Sequence, residues 1–234
     1  MKGKPEFLHN TENGGVFKVP NDYVFTTNDY MNNKIKVMAK KKITNYDNDE
    51  SSFKNKNENI SYKKCVKTNE QINAIADYTS DTGYGGSEMV NRFLNGEKEV
   101  SKEVAEIIRK KADIIESCIS QPLKEDIYFY RGMDIKVEDL KVGQSLDNKG
   151  FTSGSIYETD AKKHGQVIKT KAFSGQKALY IGDDTSHEES EHEILFGKNH
   201  STVITKIKKN NGKYEIEAEL RKRSWLNEIR GFFS

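Results

Sequence analysis

The chain has 234 residues, enough for one domain and an additional segment. Basic and acidic residues nearly balance, leaving a formal net charge of +2, which excludes a nucleic-acid or anionic-membrane binder driven by bulk charge. Cys65 and Cys118 are too few for a disulfide framework, and no apolar run approaches the ~20 residues that cross a bilayer.

Residues 1–62 are rich in Asn, Lys and Asp and read as a polar arm. Its stretch from Asn45 to Asn59 has the composition of a linker or mobile loop. Tyr23-Val24-Phe25 and Lys34 to Met38 are short strand candidates within it. The opening Met1-Lys2-Gly3-Lys4-Pro5 lacks the apolar stretch of a secretory signal, so the default expectation is cytoplasmic. From Glu70 the pattern turns helical, with Ile72, Ile75 and Ala76 on one face up to Tyr78-Thr79. Gly83, Gly85 and Gly86 mark a loop. Ser87 is placed to cap a short helix carrying Met89, Val90, Phe93 and Leu94, which stops at Gly96. Ser101 opens a longer helix whose apolar positions, Val104 to Ile119, recur at a period near 3.6, with Pro122 just beyond. Cys118 falls in that pattern and reads as a reduced core thiol.

Past Pro122 the period becomes two. Strands are expected at Ile127 to Arg131, Gly150 to Ser155, Gln166 to Lys171, Ala178 to Ile181, Glu191 to Phe196, Thr202 to Lys208 and Lys213 to Leu220. The last two flank Asn210-Asn211-Gly212, a hairpin turn signal. Helices followed by strands predict an α+β fold with two packed, mainly antiparallel β-sheets and flanking helices. The expected divisions are residues 1–62 as arm and linker, 63–222 as the folded domain, and 223–234 as a tail carrying Trp225, Phe232 and Phe233.

Three strands end in chemically pointed residues. In Tyr130-Arg131-Gly132, strand alternation puts Arg131 on the face of Ile127 and Phe129, where a permanent cation needs an anionic partner. Gly132 then permits close approach to the backbone. In Phe151-Thr152-Ser153-Gly154-Ser155, the two serines share a face and are placed to orient another side chain. In Glu191-His192-Glu193, the two carboxylates project to one face about 6.5 to 7 Å apart along an extended strand, so they call for a cation or a function. Taken singly, these motifs also fit an edge arginine paired with a structural carboxylate, a polar strand and a solvated acidic stretch. His187, His192 and His200 have no metal-ligand spacing with the cysteines, so no metal is expected. His192 should face away from the two glutamates.

In this order the three motifs resemble the Arg–Ser–Glu class of mono-ADP-ribosyltransferases, which includes clostridial exoenzymes, enzymatic components of binary toxins and phage enzymes. Tyr78-Thr79, Tyr84 and Val90-Asn91-x-x-Leu94 resemble a fourth, upstream pattern of that class. The resemblance covers roughly residues 70 to 220. It implies NAD as substrate and a protein as acceptor, in a monomer that needs neither membrane nor nucleic acid. It also implies that Arg131 binds the NAD pyrophosphate, that Gly132 offers its backbone to the nicotinamide amide, and that Ser153 holds Glu193. Glu193 would stabilise the oxocarbenium-like charge, Glu191 would meet the acceptor, and Asn91 and Tyr84 would line the cofactor cleft. Glu two residues before the catalytic Glu goes with arginine acceptors in the class, and Gln there with asparagine.

Three positions depart from the class pattern. Gly154 replaces the middle Thr of Ser-Thr-Ser, Asn95 stands where some relatives have Arg, and His164 falls near an aromatic position. An NAD glycohydrolase and a non-catalytic scaffold of a phage or toxin assembly are the competing readings. Residues 1–62 are short for a transporter-binding domain, which points to a phage or intracellular effector.

Overall fold

The structure is a computed structural model that describes residues 6–11, 14–19, 23–26, 43–80, 83–182, 192–210 and 213–223. The chain divides into two compact units, Met1–Ile43 and Thr44–Ser234. The first contains an antiparallel sheet of β1 (Glu6–Thr11), β2 (Gly14–Val19) and β3 (Tyr23–Thr26). The Tyr23 strand is as expected, while Lys34 to Met38 lies outside the described residues.

The second unit begins at Thr44, so the boundary falls well before residue 63. Asn45 to Asn59 is not a linker. Asp49 caps α1 (Glu50–Lys56), its side chain accepting from the Ser52 amide at 3.2 Å. Tyr46, Phe53 and Ile60 are all buried in the core. These anchors recur every seventh residue, too sparsely to register against the Asn and Lys around them. The backbone of Thr44 also joins the main sheet, donating to Asp126 and accepting from Tyr128.

A short helix, α2 (Tyr62–Cys65), leads into α3 (Asn69–Thr79), α4 (Ser87–Asn95) and α5 (Lys102–Cys118). Thr68 and Gln71 close a capping box on α3, and Ser101 caps α5 as expected. The cap of α4 is Gly86, with Ser87 its first helical residue. These helices set Ile75, Tyr78, Val90, Ile108 and Ile115 against Leu179 and Leu195 of the sheet. Cys118 is buried there, and burial raises its thiol to about 11, as suits a core residue.

The strands are β4 (Gln121–Pro122), β5 (Ile127–Met133), β6 (Ser145–Asn148), β7 (Thr152–Ser155), β8 (Gln166–Ala172), β9 (Lys177–Tyr180), β10 (Glu193–Phe196), β11 (His200–Asn210) and β12 (Lys213–Lys222). Between β7 and β8 lies a one-turn helix, α6 (Glu158–Ala161). The strands form one sheet in the order β4-β9-β10-β7-β5-β8-β12-β11-β6, antiparallel except for the parallel pair β8–β12. The fold is α+β, with helices and a large mixed sheet. The two expected sheets are joined in one ladder, but only at the pair Tyr130↔Ser155 between β5 and β7. The halves on either side of that seam share a core, in which the rings of Phe129 and Phe196 lie 4.9 Å apart. Among the described residues no helix is long and apolar enough to cross a membrane. The tail aromatics Trp225, Phe232 and Phe233 lie outside the described residues.

Candidate active site

The seam opens into a cavity of about 300 Å³. Arg131 and Gly132 reach it from β5, Ser153 to Ser155 from β7, and Glu193 from the start of β10. The strand order places these neighbours side by side, with Glu193 paired to Ser155 and Ser155 to Tyr130. Ser153 is paired with Leu195, so the cross-strand partner of Glu193 is Ser155, with Ser153 one step along the same face. Tyr78 and Thr79 at the end of α3, Ser87 of α4, Asp160 and Ala161 of α6 and His164 beyond it also line the cavity.

Arg131 donates from Nη1 to Thr202 Oγ1 on β11 at 2.9 Å. Among the described residues no carboxylate lies within ion-pair distance of it. Arg131 lines the cavity and is otherwise largely enclosed by protein. That burial lowers its pKa to about 10, so it remains a cation at neutral pH. A cation held by one neutral hydroxyl, facing a cavity, is a site for an anion.

The glycines have steric causes. A Cβ at Gly154 would lie 2.5 Å from the Tyr130 carbonyl oxygen and 2.9 Å from Arg131 Cγ, so the missing threonine reflects close packing of β7 on β5. A Cβ at Gly132 would lie 2.0 Å from the Ala161 carbonyl oxygen. The space beside Gly132 is therefore taken by the end of α6, and the glycine serves that contact.

Asn91 is not among the cavity's lining residues. It stands behind them, donating to the Tyr78 hydroxyl at 3.0 Å and accepting from the Phe151 amide at 2.8 Å, and so fixes the start of β7 against α3. Asn95 accepts from the Lys149 amide just upstream. Tyr84 is exposed and also outside the lining. Glu191 lies outside the described residues. His192 has φ 47°, so the extended strand starts only at Glu193 and strict alternation cannot be carried back across His192. Two site residues carry no signal in the sequence: Thr202, an ordinary strand threonine, and Asp160, one acid among several in a polar stretch. Among the described residues no cluster of His, Cys, Asp and Glu is arranged to hold a metal.

A family model, ADP-ribosyltransferase exoenzyme, matches residues 28–223. The chain belongs to this family. Its members are NAD-dependent enzymes that modify proteins, and NAD is their substrate. No curated protein matches the chain by sequence. Among solved structures it is similar to a C3-type enzyme from S. aureus with NAD, at 18% identity and TM-score 0.61, covering 77% of this chain and 99% of that one. It is similar to the C3 exoenzyme of Clostridium limosum, at 18% identity and TM-score 0.60, covering 77% and 98%. It is also similar to the ADP-ribosylating component of a C. perfringens binary enterotoxin, crystallised with NADH, at 19% identity and TM-score 0.61. That match covers 76% of this chain but half the length of the toxin component. At these identities the likenesses establish the ADP-ribosyltransferase fold.

Proposed function

We propose that this chain cleaves NAD between nicotinamide and ribose and passes the ADP-ribose to an arginine side chain of a protein. The supporting observation is the convergence of Arg131, Ser153 and Glu193, from three strands far apart in sequence, on one cavity at the sheet seam. Arg131 has the charge and fork geometry to take the pyrophosphate. The backbone of Gly132 meets the nicotinamide amide, while Ser153 and Ser155 orient Glu193.

As the ribose–nitrogen bond breaks, nicotinamide leaves with the electron pair and the ribose becomes oxocarbenium-like. The carboxylate of Glu193 stabilises that positive charge. An arginine nitrogen then attacks the ribose carbon and gives up its proton. Arginine is a poor nucleophile while it holds that proton, and a second carboxylate, Glu191, supplies a base at the sequence position that meets the acceptor. Gly154 does not favour a decayed, non-catalytic scaffold, because the packing of β7 on β5 calls for a glycine there.

Incubation with labelled NAD and a cell lysate, followed by mass spectrometry of labelled peptides, tests the proposal. The expected result is label on arginine, abolished by Glu193→Gln together with all NAD cleavage. Glu191→Gln should sharply reduce protein labelling while sparing much of the NAD cleavage. Free ADP-ribose with no labelled protein would mark a glycohydrolase, and label on another residue type would overturn the arginine assignment.

A further inference from the structure

At one side of the cavity, where Asp160 itself lines it, lies a second set of polar groups to which the reaction as described gives no role. His192, immediately before Glu193, places Nδ1 2.9 Å from Asp160 Oδ2, and its ring stacks on Tyr157 at 4.1 Å between centroids and 25° between planes. Its Nε2 lies 3.9 Å from Glu50 Oε2, which belongs to α1. The other oxygen of Glu50 accepts from the Tyr180 hydroxyl at 2.5 Å, and Lys54 pairs with the same oxygen at 2.8 Å. Burial works against the charge of Glu50, but the hydrogen bonds from Lys54 and Tyr180 outweigh it and hold the carboxyl below its ordinary value. The imidazole therefore sits between two carboxylates.

Asp160 is the junction of the set. It is buried, and the oxygen that meets His192 also accepts from Ser155 Oγ at 3.1 Å. Lys163 stands 3.8 Å from its other oxygen. Ser155 is the cross-strand partner of Glu193, and its hydroxyl oxygen in turn accepts from the Tyr157 amide at 2.9 Å. One carboxylate thus ties down both the residue before Glu193 and the residue opposite it. The backbone follows the same path, with the Ile156 amide donating to the His192 carbonyl at 3.1 Å. His192 holds a left-handed φ of 47°, a conformation histidine adopts at a cost and keeps only where its surroundings fix it.

We propose that Asp160 and His192 are positioning residues for Glu193, which they aim by clamping both strands of the β10–β7 ladder at its open end. Neither needs to touch NAD. Their effect falls on the orientation of the Glu193 carboxylate at the ribose, where a misplacement on the order of 1 Å can cost roughly a hundredfold in rate. This inference rests on the reading of Glu193 as the catalytic carboxylate.

The test is steady-state NAD cleavage by the full chain, with Glu193→Gln as the reference for the underlying reading. Asp160→Asn keeps the volume and the hydrogen bond to Ser155 but removes the charge that faces His192. His192→Asn keeps a residue that tolerates the left-handed φ but removes the ring. The expected result for each is a fall in kcat of roughly tenfold to a hundredfold, with the KM for NAD little changed because Arg131 is untouched. The thermal shift on adding NAD should persist in both. The double variant should lose no more than the worse single one, since both act through one contact.

Four results overturn the inference: an unchanged kcat in Asp160→Asn, a KM that rises in step with the loss, independent losses that multiply in the double variant, and a loss that only tracks a smaller folded fraction in the melting curve. If Glu193→Gln cleaves NAD at the normal rate, the parent reading fails and this one with it. If Glu193→Gln is inactive while Asp160→Asn and His192→Asn are normal, only this inference fails.

Discussion

Gly154 departs from the family's serine strand, and its surroundings say why. Putting a threonine there, as the family pattern has it, would drive a Cβ into the Tyr130 carbonyl across the narrow β5–β7 seam. Gly154→Thr is expected to cost roughly 1 to 3 kcal/mol by overpacking, visible as a lower melting temperature, and to reduce rather than improve NAD cleavage. Equal stability with higher activity would show that the glycine is a defect. At this scale the sequence discloses Arg131, Ser153 and Glu193, because each belongs to a short motif whose order is informative. It does not disclose Asp160 or Thr202. Their value lies in what stands opposite them, and that depends on strand order. At Asn91 the helix pattern is legible, but not the side-chain bonds to Tyr78 and Phe151 that hold β7 against α3.

Among the elements, β11 begins with a histidine whose setting makes stability depend on pH. His200 is buried, and its Nδ1 lies 2.8 Å from the Gly197 carbonyl, which can only accept, so Nδ1 carries the proton. Among the described residues its buried Nε2 has no hydrogen-bond partner. Burial lowers the pKa of the ring below its ordinary 6.5, and the charge of the paired Lys222 adds to this despite the opposing bond to Gly197. A depressed histidine pKa means that the unfolded chain takes up the proton first. The stability is therefore fully present above about pH 6.5 and is lost as the pH falls toward the folded-state value. Melting temperature should drop between pH 7 and pH 5, and His200→Asn should flatten that slope; an unchanged slope would assign the acid sensitivity to other groups.

Helices α3 and α5 and the β11–β12 hairpin are readable from periodicity, caps and the Asn-Asn-Gly turn signal, of which Asn211 and Gly212 lie outside the described residues. Other features are not. Strand β6 is a four-residue edge strand with no alternation to mark it, and the parallel pairing of β8 with β12 is a tertiary choice that no local pattern encodes.

For the whole molecule, the polar composition of the N-terminal quarter conceals a division at Ile43. Thr44 to Ile60 supplies Tyr46, Phe53 and Ile60 to the main core and Glu50 to the cluster beside Glu193. A chain lacking residues 1–43 is expected to fold and cleave NAD. One lacking residues 1–62 should not fold, since deleting a single large buried side chain already costs about 2 to 5 kcal/mol. Circular dichroism melts of the two truncations check this, and a cooperative melt for the shorter chain would refute it. The order β10-β7-β5 has a further consequence for how the enzyme comes into being. The three strands that carry the site are distant along the chain, so each must close a long loop before any pairing energy is gained, and β8–β12 adds another such closure. Folding should accordingly be slow and cooperative. No early intermediate, helical or otherwise, would hold Arg131 and Glu193 at a common distance, so the first molecule able to cleave NAD is one whose sheet is already complete.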